Sequence, residues 1–182
     1  MQFIRNRIIA ICFAIVTLLS FSISTLAEGN YAFLKSVKEC HDYIRENDFY
    51  YSRGVELPLD REGNKRVDCS SFLSWSLYDY TDGDFSESHD SAWFLKLAED
   101  LRHGRDTAMP EVTSDWKVIT NLEHLVPGDI MCYKKHVQIY AGKNNDGEHL
   151  VYSAGCDSTI QDEISVITDA YFNSTKYGIR IP

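Results

Sequence analysis

Residues 67–80 read Val67-Asp68-Cys69-Ser70-Ser71-Phe72-Leu73-Ser74-Trp75-Ser76-Leu77-Tyr78-Asp79-Tyr80. Asp68 is a helix-cap residue, and Phe72, Leu73, Trp75, Leu77 and Tyr80 recur where a buried helix places them. The pattern predicts a helix from Cys69 to Tyr80, ended by Gly83. It puts a cysteine in the first turn, where unpaired backbone N–H groups and the helix dipole favour an anion. A thiol there loses its proton more readily, and the thiolate is the nucleophilic form. A buried or disulfide-bonded cysteine at a helix start fits the same letters.

Outward from this helix the chain divides into two halves. Upstream, Asn30 can cap a helix over residues 30–47, carried by Phe33, Leu34, Val37, Cys40, His41 and Ile44. Gly54 and Pro58 break the chain, and residues 57–65 read as a polar loop. Downstream, a third helix over residues 91–102 has Trp93, Phe94, Leu97, Ala98 and Leu101 as its inner face. After Pro110 the runs become β-branched and aromatic. Trp116 and Val118 look extended, as do residues 130–133, 137–141, 150–154 and 177–181. Asn144-Asn145-Asp146-Gly147 is a turn between two of these strands. Helices first and strands second imply one α+β domain with an antiparallel sheet.

Residues 1–27 stand apart. Arg5 and Arg7 precede an apolar run, and Thr25-Leu26-Ala27 offers small residues at the positions a signal peptidase reads. The segment reads as a secretory signal peptide, leaving residues 28–182 as the domain. Its run is short for a membrane span. Cys12 follows Ile11 rather than a small residue, which argues against lipidation. The expected product is secreted and carries no stable membrane anchor.

The 182 residues include 18 Lys and Arg against 27 Asp and Glu, a net charge of -9. Removing the signal segment makes the balance more acidic still. Such a chain lacks the basic clusters that a nucleic-acid or anionic-membrane binder needs. Four cysteines remain, Cys40, Cys69, Cys132 and Cys156. Cys40 suits the apolar face of the first helix, and Cys132 and Cys156 lie near adjacent strands where a disulfide is allowed.

A second stretch carries chemistry: Pro127-Gly128-Asp129-Ile130-Met131-Cys132-Tyr133-Lys134-Lys135-His136-Val137-Gln138-Ile139-Tyr140-Ala141-Gly142. His136 opens a strand after a short hairpin. A ring projecting there toward a helix on the sheet is the base that a cysteine nucleophile requires. A base also needs a group that holds its ring. Alternation along the next strand puts His149, Val151 and Ser153 on one face and Tyr152 on the other, so Ser153 or His149 can face His136.

These blocks resemble the NlpC family of cell-wall cysteine peptidases over about residues 30–182. The family pattern is Asp-Cys-Ser-Gly-Phe-Val, then Pro-Gly-Asp-Leu, then His-Val-Gly-Ile-Tyr-x-Gly. Here the matching residues are Asp68-Cys69-Ser70-Ser71-Phe72-Leu73, Pro127-Gly128-Asp129-Ile130 and His136-Val137-Gln138-Ile139-Tyr140-Ala141-Gly142. The resemblance implies a papain-like α+β fold, with the nucleophile at a helix N-terminus packed on an antiparallel sheet. It implies that Cys69 is the nucleophile and His136 the base. Ser153 falls on the third polar position, usually His, Asn or Gln. Tyr51, in Tyr51-Ser52-Arg53-Gly54, matches a Tyr-x-x-Gly-Gly segment whose second glycine is Val55 here. Asp68 and Ser70 match positions that help bind the free amine of a stem peptide, and Asp68 can cap its helix as well. Ser71 and Gln138 each replace a family glycine.

The activity implied is thiol hydrolysis of a peptidoglycan stem peptide at the γ-D-glutamyl to diamino-acid bond, with no metal or other cofactor. A CHAP-type N-acetylmuramoyl-L-alanine amidase has the same order of cysteine and histidine. A catalytically silent stem-peptide-binding module keeps the groove without the reaction. A structural zinc set drawn from Cys40, His41, Cys132, His136, His149 and Cys156 lacks the short paired spacing such sites use.

Overall fold

The computed structural model describes residues 29–54, 65–85, 89–105, 115–154 and 164–182. The signal segment, most of the expected polar loop and Cys156 lie outside the described residues.

Helix α1 spans Tyr31–Glu46. Asn30 caps it, its Oδ1 accepting the Phe33 N–H at 2.9 Å. The face that the spacing marked as apolar is the buried one: Phe33, Val37, Cys40, His41 and Ile44. Strands β1 (Tyr50–Tyr51) and β2 (Arg66–Val67) form a short parallel pair. Helix α2 spans Cys69–Tyr80 and is buried on every side from Cys69 to Leu77. Ser71, Ser74 and Ser76 are fully enclosed. Their small side chains let neighbours approach, and the Ser76 hydroxyl donates back to the Phe72 carbonyl at 2.9 Å. Helix α3 spans Ser91–Arg102 behind its cap Asp90.

The second half is a sheet of six strands: β3 (Lys117–Ile119), β4 (Ile130–Cys132), β5 (Val137–Lys143), β6 (His149–Tyr152), β7 (Ser165–Ile167) and β8 (Tyr177–Arg180). Their order is β3-β8-β4-β5-β6-β7, and every neighbour pair is antiparallel. A four-residue helix α4, Asp169–Phe172, links β7 to β8. The described fold is therefore α+β with an antiparallel sheet. The sequence pattern did not mark β1, β2, β7 or α4. Two- to four-residue elements are too short to show a period.

The sheet is covered on both faces. Helices α1, α2 and α3 enclose one face with Val137, Ile139, Ile130, Cys132 and Ile179. Leu125, Met131, Tyr133, Tyr140, Val151 and Phe172 form a smaller core on the other. Strand β5 feeds both, Val137 and Ile139 one way and Gln138 and Tyr140 the other, so all four are buried. That explains its long apolar run.

The Pro127-Gly128-Asp129 turn fastens the halves together. Gly128 has φ +96, and a Cβ there would meet the Asn30 carbonyl at 2.8 Å. Asp129, 1 % exposed, accepts the Val126 N–H at 2.8 Å. It also receives a two-pronged bond from Arg180, Nε to Oδ1 at 2.9 Å and Nη2 to Oδ2 at 2.8 Å. The motif is thus a clamp between the cap of α1 and the last strand.

Gly128→Ala is expected to destabilise the fold by more than about 1 kcal/mol, since it combines positive φ with a backbone clash. Gly147, at φ +83 with open space around it, is the control, and Gly147→Ala should cost less. Urea-unfolding midpoints of the two variants check the order.

Candidate functional site

The start of α2 is held by one carboxylate. Asp68 Oδ1 accepts the backbone N–H groups of Ser70 at 3.0 Å and Ser71 at 2.7 Å, and the Ser70 hydroxyl at 2.9 Å. The Ser71 hydroxyl in turn accepts the Asp68 N–H at 2.8 Å, completing a reciprocal capping box. Asp68 Oδ2 accepts the Gly54 N–H at 2.9 Å. The Ser52 N–H donates to the Val67 carbonyl at 2.9 Å, and Tyr51 pairs with Val67. So the Tyr51-Ser52-Arg53-Gly54 segment lies against the first turn of α2. The three residues expected to bind substrate, Tyr51, Asp68 and Ser70, are neighbours. Asp68 and Ser70 are also bonded to each other and buried, so capping is the Asp68 role that the geometry displays.

Cys69 is the first residue of α2 and is 5 % exposed. It carries a thiol and not a disulfide, as do Cys40 and Cys132. The disulfide allowed between Cys132 and Cys156 is corrected on the Cys132 side. Its thiol is enclosed between α3 and β4, 3.7 Å from the Phe94 carbonyl, and burial pushes its pKa far up. Cys40 sits in the core as its helical spacing indicated. Among the described residues no three His, Cys, Asp or Glu side chains gather in a way that would hold a metal ion.

His136 lies at the end of the hairpin from β4, closed by the Tyr133 N–H donating to the His136 carbonyl at 2.9 Å. Strand β5 begins at the next residue and packs on α2. The ring is half-buried, and its Nε2 is 3.0 Å from the Ser153 hydroxyl. Burial lowers its pKa from the usual value, while hydrogen bonding to Gln138 and the Asp68 carboxylate act the other way. Of these, Asp68 is the charged group, and it favours the protonated ring.

Of the two residues expected to face this ring, Ser153 does. His149 does not. Its Nδ1 is 3.1 Å from the Tyr140 hydroxyl, and its ring stacks on Phe172 with centroids 3.5 Å apart. The alternation is as read from the sequence, with His149 and Val151 in the smaller core's face and Tyr152 in the larger core. The stacking partner comes from α4, which no sequence period revealed.

Sequence reasoning passed over two residues at the site, Gln138 and Tyr133. Gln138 Nε2 donates to the Tyr133 hydroxyl at 2.5 Å, and the Tyr133 and His136 ring centroids are 6.0 Å apart. A polar side chain in the middle of an otherwise apolar strand, two residues from a histidine, was the available signal. No family model, curated protein or solved structure matches this chain.

Burial lowers the pKa of both His136 and His149, so the folded protein holds them neutral more firmly than the unfolded chain does. The unfolded state then binds more protons in the window below about pH 6.5. This stability contribution is complete above that pH and is lost as the pH falls. The urea midpoint should therefore drop between pH 7.5 and 5.5, and His136→Asn should flatten part of the drop. Equal slopes in wild type and variant would contradict the assignment.

Proposed function

We propose that this chain is a secreted, papain-like cysteine hydrolase of peptidoglycan stem peptides, of the NlpC kind that its three sequence blocks resemble. The observation that carries the reading is a thiol at the first turn of a buried helix, with a histidine just ahead of the strand that packs on that helix and one of its ring nitrogens 3.0 Å from the Ser153 hydroxyl. The helix N-terminus favours negative charge on sulfur and on a nearby oxyanion. Because Nε2 is anchored by Ser153, Nδ1 is the nitrogen assigned to proton transfer.

In this reading the Cys69 sulfur attacks an amide carbonyl, forming a C–S bond while the carbonyl electrons move to oxygen. The Cys69 backbone N–H supports that oxyanion. Collapse breaks the C–N bond, and His136 passes its proton to the leaving amine. Water, deprotonated by the same ring, then displaces the thiol from the thioester. The favoured bond is the γ-D-glutamyl to diamino-acid link. A CHAP-like amidase would instead release the whole stem peptide from muramic acid. A silent binding module would release nothing.

Mass spectrometry of peptidoglycan fragments after incubation with the protein tests the reading. Stem peptides cut after D-glutamate are expected from the wild type and none from Cys69→Ala. Free intact stem peptides would transfer the assignment to the amidase, and identical fragments from wild type and variant would remove the enzyme reading altogether. Ser153→Ala should lower kcat/KM by roughly tenfold, because it loosens the ring without removing either reacting group. Steady-state rates on a soluble stem peptide check this.

A further inference from the structure

We propose that Gln138 is the positioning residue for His136, with its carboxamide oxygen accepting the imidazole N–H and its carboxamide nitrogen tethered to the Tyr133 hydroxyl. The inference rests on the reading of His136 as the base and deepens it.

The placement follows from the strands. Ile139 pairs with Tyr152 across β5 and β6. One step outward, Gln138 lies opposite Ser153, and the two share a face. Ser153 already stands 3.0 Å from Nε2, and Gln138 lies beside it on the same face. Gln138 is 2 % exposed, and a carboxamide so enclosed needs partners for both of its ends. Its nitrogen has the Tyr133 hydroxyl at 2.5 Å and the Met131 sulfur at 4.0 Å. Its oxygen is left to the ring.

This resolves an ambiguity that Ser153 alone leaves. A hydroxyl donates or accepts, so a Ser–His contact is compatible with either imidazole tautomer. A carboxamide oxygen only accepts. With its nitrogen on the Tyr133 hydroxyl, Gln138 presents this acceptor to the ring. The ring hydrogen is therefore kept on Nε2, and the Nδ1 lone pair is kept for the thiol. The same bond favours the charged ring against burial, and Asp68 adds to it from α2. The groups bearing on the imidazole are thus Asp68 from α2, Tyr133 from the hairpin, Gln138 from β5 and Ser153 beyond β6. Tyr133 supports the device twice, since its backbone N–H also closes the hairpin on the His136 carbonyl.

The test is ¹⁵N NMR of the histidine rings in the full chain, titrated with pH, alongside steady-state kinetics. In wild type the His136 ring should be the Nε2–H tautomer. Gln138→Leu should give mixed tautomers and a still lower His136 pKa. It should also lower kcat by at least about tenfold with KM changed less than about twofold. Gln138→Glu, which keeps an acceptor, should restore the Nε2–H tautomer and raise the pKa. If Gln138→Leu folds with the wild-type tautomer and pKa, Gln138 is only a buried filler and the proposal falls. Should Gln138→Leu not fold, Tyr133→Phe decides. It removes only the tether, and an unmoved tautomer and pKa there overturn the proposal. These ring measurements need no substrate. A wild type that leaves cell wall intact would remove the hydrolase reading while still showing whether Gln138 sets the tautomer.

Discussion

Helix α2 runs through the interior with its first nine residues buried, yet its first turn carries N–H groups that no helical carbonyl can satisfy. Asp68 meets that demand. Its carboxylate takes two of those N–H groups, the Ser70 hydroxyl and the Gly54 amide at once. Removing it would leave several buried donors without partners, each at a cost of about 1–3 kcal/mol. The same carboxylate draws the Tyr51 segment to the helix start and bears on the imidazole of His136. Helix cap, anchor of the Gly54 segment and source of charge near the imidazole are one group, so the arrangement around Asp68 and the helix's stability are not separable there.

Strand β5 carries the second constraint. Its two faces enter two different cores, so the strand that follows His136 is packed on both sides. One face seats α2. The other brings Gln138 to Tyr133 and, at the strand's start, the histidine ring to Ser153. The clamp at Pro127-Gly128-Asp129 closes on the backbone of Asn30 and on Arg180. It fastens the sheet to α1. Both faces of the sheet are packed.

Much of this was legible beforehand. The three long helices carry a 3.6-residue period, and Asn30 and Asp68 occupy the caps read for the first two, while the structure adds Asp90 for the third. The main strands were marked by β-branched and aromatic runs between turn residues. Cys69 and His136 stood out because each sits at the boundary of an element, where a side chain is both held and accessible. His149 shows the limit. By alternation it was as good a partner for His136 as Ser153, and only its stacking on Phe172 and its contact with Tyr140 remove it. The stacking partner comes from α4, four residues with no period of their own.

Local pattern alone therefore determined the three long helices, the caps Asn30 and Asp68, the order of helices before strands, and the placing of Cys69 and His136 at element boundaries. These depend on neighbours within a few positions, where spacing and side-chain type act directly. The tertiary structure decided which groups meet the imidazole, that the Asp68 carboxylate serves Gly54 as well as its own helix, and that Cys132 is an enclosed thiol. Each of these joins residues far apart along the chain, and their meeting is set by strand order and register, which no local period encodes.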